Sequence, residues 1–110
     1  VGRILSVTSA ACDEGRARRY TVYGQVFFAS ADRFSKVFDY QEVIDKVYID
    51  VSRAHFWDIT AVSALDKIVI KFRREGTEVE VIGMNEASAT LVDKFAIHDK
   101  DGAEDMLLDH

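Results

Sequence analysis

The sequence predicts an α/β domain built on a mainly parallel sheet, and three observations predict it. Short apolar runs rich in β-branched residues alternate with segments of helical spacing, the signature of strand–helix–strand units. The run Val47-Tyr48-Ile49-Asp50-Val51 is apolar enough for a strand buried in a parallel sheet. A brief polar join between the first two strand-like runs adds an antiparallel hairpin at the edge.

Taken in order, Ile4 to Ser9 reads as the first strand and Ala10 to Ala17 as a turn containing Asp13, Glu14 and Gly15. Arg18 to Phe28 alternates, with Tyr20, Val22, Gly24 and Val26 on one face and Thr21, Tyr23 and Gln25 on the other. Ser30 offers an N-cap oxygen, and Phe34, Val37 and Phe38 follow at helical spacing. After the strand at Val47 to Val51, a helix from about Thr60 to Arg74 carries Val62, Leu65, Ile68, Val69 and Phe72 as one apolar stripe. Ser63, Lys67, Lys71 and Arg74 line its opposite face, and Lys71, Arg73 and Arg74 suit the negative end of its dipole. Gly76 marks its stop. A strand at Glu78 to Met84 and a helix capped by Asn85, with Leu91, Val92 and Phe95 inward, complete the pattern. Met106 to Leu108 make a short closing helix.

Composition bounds the function. A chain of 110 residues supports one domain, read as 1–110. Its net charge of -5 lacks the basic footprint of nucleic-acid binding, so no nucleic-acid partner is expected. Cys12 is the single cysteine and precludes an internal disulfide. His55, His98 and His110 are far apart, so no metal site is expected. No nucleophile elbow, Cys/His arrangement or phosphate-cradling glycine loop is present, so the chain is not expected to be an enzyme and no cofactor is assigned. The chain opens with Val1 and is read as a segment of a longer protein.

Three stretches carry a family resemblance. They are Tyr23-Gly24-Gln25-Val26-Phe27-Phe28-Ala29-Ser30, then Val47 to Ser52, then Trp57-Asp58-Ile59-Thr60-Ala61-Val62-Ser63-Ala64-Leu65 running on to Gly76. In this order they resemble the STAS domain of bacterial SulP-type anion transporters, over about residues 18–97. The resemblance implies the STAS fold, the fold of anti-sigma-factor antagonists. It implies a regulatory and protein-interaction domain of a secondary transporter for sulfate or a related anion, on the cytoplasmic face of the inner membrane. The implied partners are the transmembrane permease domain of the same chain and a soluble cytoplasmic protein. The alternative is a free-standing anti-sigma factor antagonist that works as a phospho-switch.

Function is expected in the loop from His55 to Ala61, where it meets a helix N-terminus. The candidate interaction residues are Phe56, Trp57, Asp58, Ile59, Thr60 and Ala61. In the related antagonists this loop reads Asp-Ser-Ser/Thr-Gly, and the first serine is phosphorylated. Here Asp58 matches the aspartate, Ile59 takes the phosphorylated position, Thr60 matches the next residue and Ala61 replaces the glycine. The serine switch is therefore missing, and Thr60 is left as a candidate phosphorylation site whose plainer role is an N-cap. Asp58 is expected to hold the loop through backbone N–H groups. One of Phe56 and Trp57 is expected to pack beneath the loop and the other to face a partner. Phe28, Ser30 and Thr60 are candidates for a weak anion or nucleotide contact at helix starts.

Overall fold

The computed structural model of the chain describes residues 5–89 and 91. Its element order is β1 (Ser6–Cys12), β2 (Ala17–Val26), α1 (Ala31–Lys36), β3 (Lys46–Phe56), α2 (Ile59–Arg74), β4 (Glu78–Ile82) and α3 (Met84–Ala87). One four-stranded sheet runs in the order β1-β2-β3-β4. β1 and β2 pair antiparallel, while β2 with β3 and β3 with β4 pair parallel. This is the α/β sheet with an antiparallel edge that the alternation predicted.

The edge hairpin is longer than its apolar residues suggest. Ala10, Ala11 and Cys12 pair with Arg19, Arg18 and Ala17 although they are largely exposed, because backbone bonds rather than burial hold this edge. Asp13 and Glu14 turn the chain at φ of 53° and 59°.

The inward face of β2 is as expected, with Tyr20, Val22 and Val26 at most 3% exposed. β3 runs five residues past the expected end at Val51. Val47, Ile49 and Val51 point inward, the phase then slips, and Ala54 and Phe56 point inward. The register shows why: Thr21 pairs with Asp50 but Tyr23 pairs with Arg53, so β3 carries an extra residue opposite Val22.

α1 and α2 pack against each other and against the inward face of the sheet. Phe34, Phe38, Phe56 and Phe72 form the centre of the core, with Phe34–Phe56 centroids 6.0 Å apart and Phe38–Phe72 centroids 6.1 Å apart. Val37 is not part of that face. α1 ends at Lys36, and Val37 is 43% exposed. The loop that follows is pinned by Tyr20, whose phenol oxygen accepts from the Asp39 N–H at 3.1 Å, and by Tyr40, whose hydroxyl donates to the Ser35 carbonyl at 2.6 Å.

α2 buries Ala61, Ala64, Leu65, Ile68 and Phe72, with Val62 and Val69 at the margin. Gly76 (φ +83°) ends it. The Gly76 N–H bonds the Arg73 carbonyl and the Thr77 N–H bonds the Phe72 carbonyl, both at 3.0 Å, which is the Schellman arrangement. The last described helix is capped by Gly83, not Asn85, since Gly83 takes the left-handed conformation that the turn out of β4 requires. Leu91 is half-buried, whereas Val92, Phe95 and the segment Met106 to Leu108 lie outside the described residues.

Candidate functional site

The two parallel strands β2 and β3 end side by side, at Val26 and Phe56. In open α/β sheets this carboxyl end is where ligands and partners collect. The chain leaves β2 through Phe27, Phe28 and Ala29 and leaves β3 through Trp57 and Asp58. These two exits are tied together. The Trp57 N–H bonds the Val26 carbonyl at 3.0 Å, and the Trp57 indole N–H donates to the Gln25 side-chain carbonyl.

Asp58 is the centre of the arrangement. As the N-cap of α2 it is extended, and one carboxylate oxygen accepts from the Ala61 N–H at 2.9 Å. The other accepts from the Phe28 N–H at 2.9 Å, across 30 positions of sequence. The expectation that Asp58 holds the loop through backbone N–H groups thus matches the geometry. The expected capping role of Thr60 does not. Thr60 is the second residue of the helix and is exposed, because aspartate two residues earlier already supplies the cap.

The expected loop from His55 to Ala61 is therefore shorter than it reads. His55 and Phe56 belong to β3, and Ile59, Thr60 and Ala61 belong to α2. Phe56 is fully buried, since the slip in β3 turns it into the core against Phe34, and Ala61 is fully buried beneath the first turn of α2. Neither side chain faces solvent. The apolar side chains that do are Phe28 (73% exposed), Ile59 (63%) and Trp57 (40%), around the Asp58 tie.

Ser30 also departs from expectation. It precedes α1 but does not cap it. Its hydroxyl accepts from the Phe27 N–H at 3.1 Å and donates to the Gln25 carbonyl at 3.2 Å, and the residue is 5% exposed. It locks the β2 exit, and with its hydroxyl hydrogen spent on the Gln25 carbonyl it has no free donor to offer an anion. The Phe28 N–H is likewise spent on Asp58. A recess of about 320 Å³ does lie beside the loop, lined by Phe28, Asp32, Ser35, Thr60, Ser63 and Lys67. A larger one, of about 410 Å³, sits at the opposite end of the sheet among Asp13, Glu14, Arg16, Asp45 and Lys46. Its mixed charges include no nucleophile paired with a base.

A polar cluster that the sequence did not disclose lies where β3 slips. Asp50 is 9% exposed and accepts from Arg19 at 2.7 Å, from the Ser52 hydroxyl at 2.6 Å and from the Ser52 N–H at 3.0 Å. Burial opposes its ionisation most strongly, but the Ser52 and Arg19 bonds together outweigh it and hold the carboxyl below the ordinary aspartate value. The residue next in the sheet is Ile82 of β4, followed by Gly83, which packs against Ser52. The only hint in the sequence was an aspartate inside an apolar strand. Among the described residues no group of three His, Cys, Asp or Glu side chains converges.

This architecture, a βαβαβ sheet with a hairpin edge and an aspartate-capped second helix, defines a STAS domain. The STAS domain family model matches residues 13–105, and the chain belongs to that family. It is 46% identical over 92 residues to the Bacillus subtilis (strain 168) protein named "Putative sulfate transporter YbaR", covering 84% of this chain and 19% of that one. The chain thus spans about a fifth of the length of that relative. A crystal structure described as an antisigma-factor antagonist, STAS domain from Rhodobacter sphaeroides, matches with 57% identity and a TM-score of 0.76, over 78% of this chain and 94% of that chain. The crystal structure of Mglu matches with 18% identity and a TM-score of 0.51, over 73% of this chain and 19% of that one, a likeness of fold alone.

Proposed function

We propose that this STAS domain is a non-enzymatic regulatory and docking domain of a secondary anion transporter, held at the cytoplasmic face of the membrane by the permease it belongs to. The observation that carries the reading is the loop itself. Phe28, Ile59 and Trp57 stand exposed around a frame fixed by Asp58 and Ser30. Rigid apolar anchors on a fixed loop are what a protein partner uses. The likeness to the Bacillus subtilis protein named "Putative sulfate transporter YbaR" supports the transporter context. Among the described residues no helix is long and apolar enough to cross a membrane.

A second reading is favoured by one finding. The Rhodobacter sphaeroides structure carries the words antisigma-factor antagonist and is covered almost end to end. In that reading the domain is free-standing and its partner is an anti-sigma factor. Ile59 stands where that class is phosphorylated, so the switch would need Thr60, which is exposed.

Fractionation of source cells, probed with an antibody to this domain, separates the two. A membrane-pellet band several times heavier than 12.4 kDa is expected. A soluble band near 12.4 kDa would overturn the transporter reading and leave the antagonist. A full-length transporter that keeps wild-type anion uptake after loss of this domain would remove the regulatory role.

A further inference from the structure

We propose that the groove between α1 and α2 binds an acidic, amphipathic helical segment of a partner protein. The proposal rests on the docking role above and assigns the chemistry of the partner.

The recess beside Phe28 does not stop at Lys67. A second recess, of about 330 Å³, is lined by Ser35, Tyr40, Lys67, Ile68, Lys71 and Arg74, and Ser35 and Lys67 belong to the walls of both. They form one groove along α2, from Thr60 to Arg74, about 20 Å at the helical rise. Its ends differ. One end offers the exposed ring of Phe28, next to Asp32, whose carboxylate is already paired with Lys36 at 2.9 Å. The other offers cations beside the half-exposed Ile70.

Lys67, Lys71 and Arg74 fall at i, i+4 and i+7 and so share one stripe of α2. Among the described residues none of the three has a carboxylate within ion-pair distance, as is also true of Arg16, Arg33, Arg53 and Arg73, so what sets the three apart is that they share one stripe beside the recess. α2 holds four cationic side chains (Lys67, Lys71, Arg73, Arg74) against one carboxylate (Asp66), within a chain of net charge -5. The stripe is also positioned. The Lys71 ammonium lies 4.8 Å from the centroid of the Tyr40 ring, and that ring is anchored by its hydroxyl on Ser35. A helix with an apolar residue at one end and carboxylates at helical spacing toward the other complements this groove in shape and charge. A bilayer is a poorer match, since the cations lie along a concave wall and three of them give only modest attraction.

The test uses the isotope-labelled chain and, as probe, a short synthetic amphipathic peptide with leucines at one end and glutamates at helical spacing toward the other. Titration followed by amide chemical shifts is expected to move Phe28, Ser35, Lys67, Lys71 and Arg74. Added salt weakens binding. The double variant K71E/R74E, whose altered side chains are exposed, stays folded by circular dichroism and binds at least about tenfold more weakly. Phe28→Ala weakens binding from the other end. A peptide with lysines in place of the glutamates does not bind. Absence of shifts along the groove, or equal affinity of K71E/R74E, would overturn the proposal. So would a charge-dependent loss seen with phosphatidylglycerol vesicles and not with the peptide. If the peptide fails while the protein fractionates with the membrane, the groove assignment falls and the transporter reading stands.

Discussion

Asp58 accepts a hydrogen bond from the Phe28 N–H at 2.9 Å while its other oxygen caps α2 through the Ala61 N–H. One carboxylate thus joins the exit of β2 to the start of α2 and sets the spacing between Phe28 and Ile59. Removing it leaves the Phe28 N–H without its partner and the Ala61 N–H with only the Asp58 backbone carbonyl, at 3.2 Å. Asp58→Ala is expected to cost about 2 kcal/mol, the cap and one charge-assisted bond together, read as a lowered urea midpoint at unchanged slope. Asp58→Asn keeps an acceptor for the cap and is expected to recover at least half of that loss.

Gly83 and Gly76 test two causes of glycine dependence against each other. Both have positive φ, +80° and +83°. A Cβ on Gly76 would meet nothing within 4 Å, so Gly76→Ala carries only the left-handed strain, about 1 kcal/mol. A Cβ on Gly83 would sit 2.4 Å from Ser52 Cβ and 2.6 Å from Ser52 Cα. Backbone cannot yield there without disturbing the slip in β3. Gly83→Ala is expected to cost at least about 2 kcal/mol more than Gly76→Ala in parallel denaturant titrations.

The two sites also show what pattern reading reaches. Gly76 was legible as a helix stop because it follows a complete amphipathic stripe. Gly83 was not, because its neighbour Ser52 is 31 positions away and belongs to a strand whose end was misplaced. That misplacement has one cause. Val47, Ile49 and Val51 alternate, but the bulge shifts the phase, so Ala54 and Phe56 look like loop residues in the sequence. Trp57 and Asp58 are legible as candidates, since a large aromatic and a capping acid before an amphipathic helix are local signals, and the structure bears out the loop-holding role of Asp58. The Asp58–Phe28 bond, the Ser30 lock and the shared groove of Ser35 and Lys67 are contacts between elements. No periodicity within one element encodes them. Asp58 is the better cap by residue preference, and reading Thr60 as the cap sets it two residues late.

Stability is expected to fall at both ends of the pH scale for identifiable reasons. Asp50 has its carboxyl held below the ordinary value by Ser52 and Arg19 against the opposing effect of burial. The folded state therefore favours the carboxylate. Its contribution is full above the unfolded value of about 3.9 and is lost as pH falls through the folded value below it. Tyr40 behaves oppositely. Burial pushes its phenol up to about 12, so the folded state favours the neutral form, and stability declines as pH rises from about 10 toward that value. Denaturation measured across pH should show the acid limb flattened in Asp50→Asn and the alkaline limb reduced in Tyr40→Phe. An alkaline limb unchanged in Tyr40→Phe would assign that loss to Tyr20, whose phenol is also raised by burial.

Phe28 and Ile59 separate function from stability. Both are largely exposed, at 73% and 63%, and Phe28 touches Phe27 edge-on with centroids 5.7 Å apart. Little apolar surface is lost to water if they are trimmed, and the Phe28 N–H that serves the frame is retained by any residue other than proline. The double variant Phe28→Ala, Ile59→Ser is therefore expected to fold within about 1 kcal/mol of wild type. If the loop docks a partner through these anchors and the domain belongs to an anion transporter as proposed, the same variant in that transporter should lower anion uptake several-fold at equal membrane abundance. Unchanged uptake would move the docking surface off the loop. A large loss of stability would mean that Phe28 is a packing residue and that the anchor argument fails for it. Melting temperature, abundance and uptake measured on one set of variants distinguish these outcomes, because a docking defect changes uptake alone while a packing defect lowers all three.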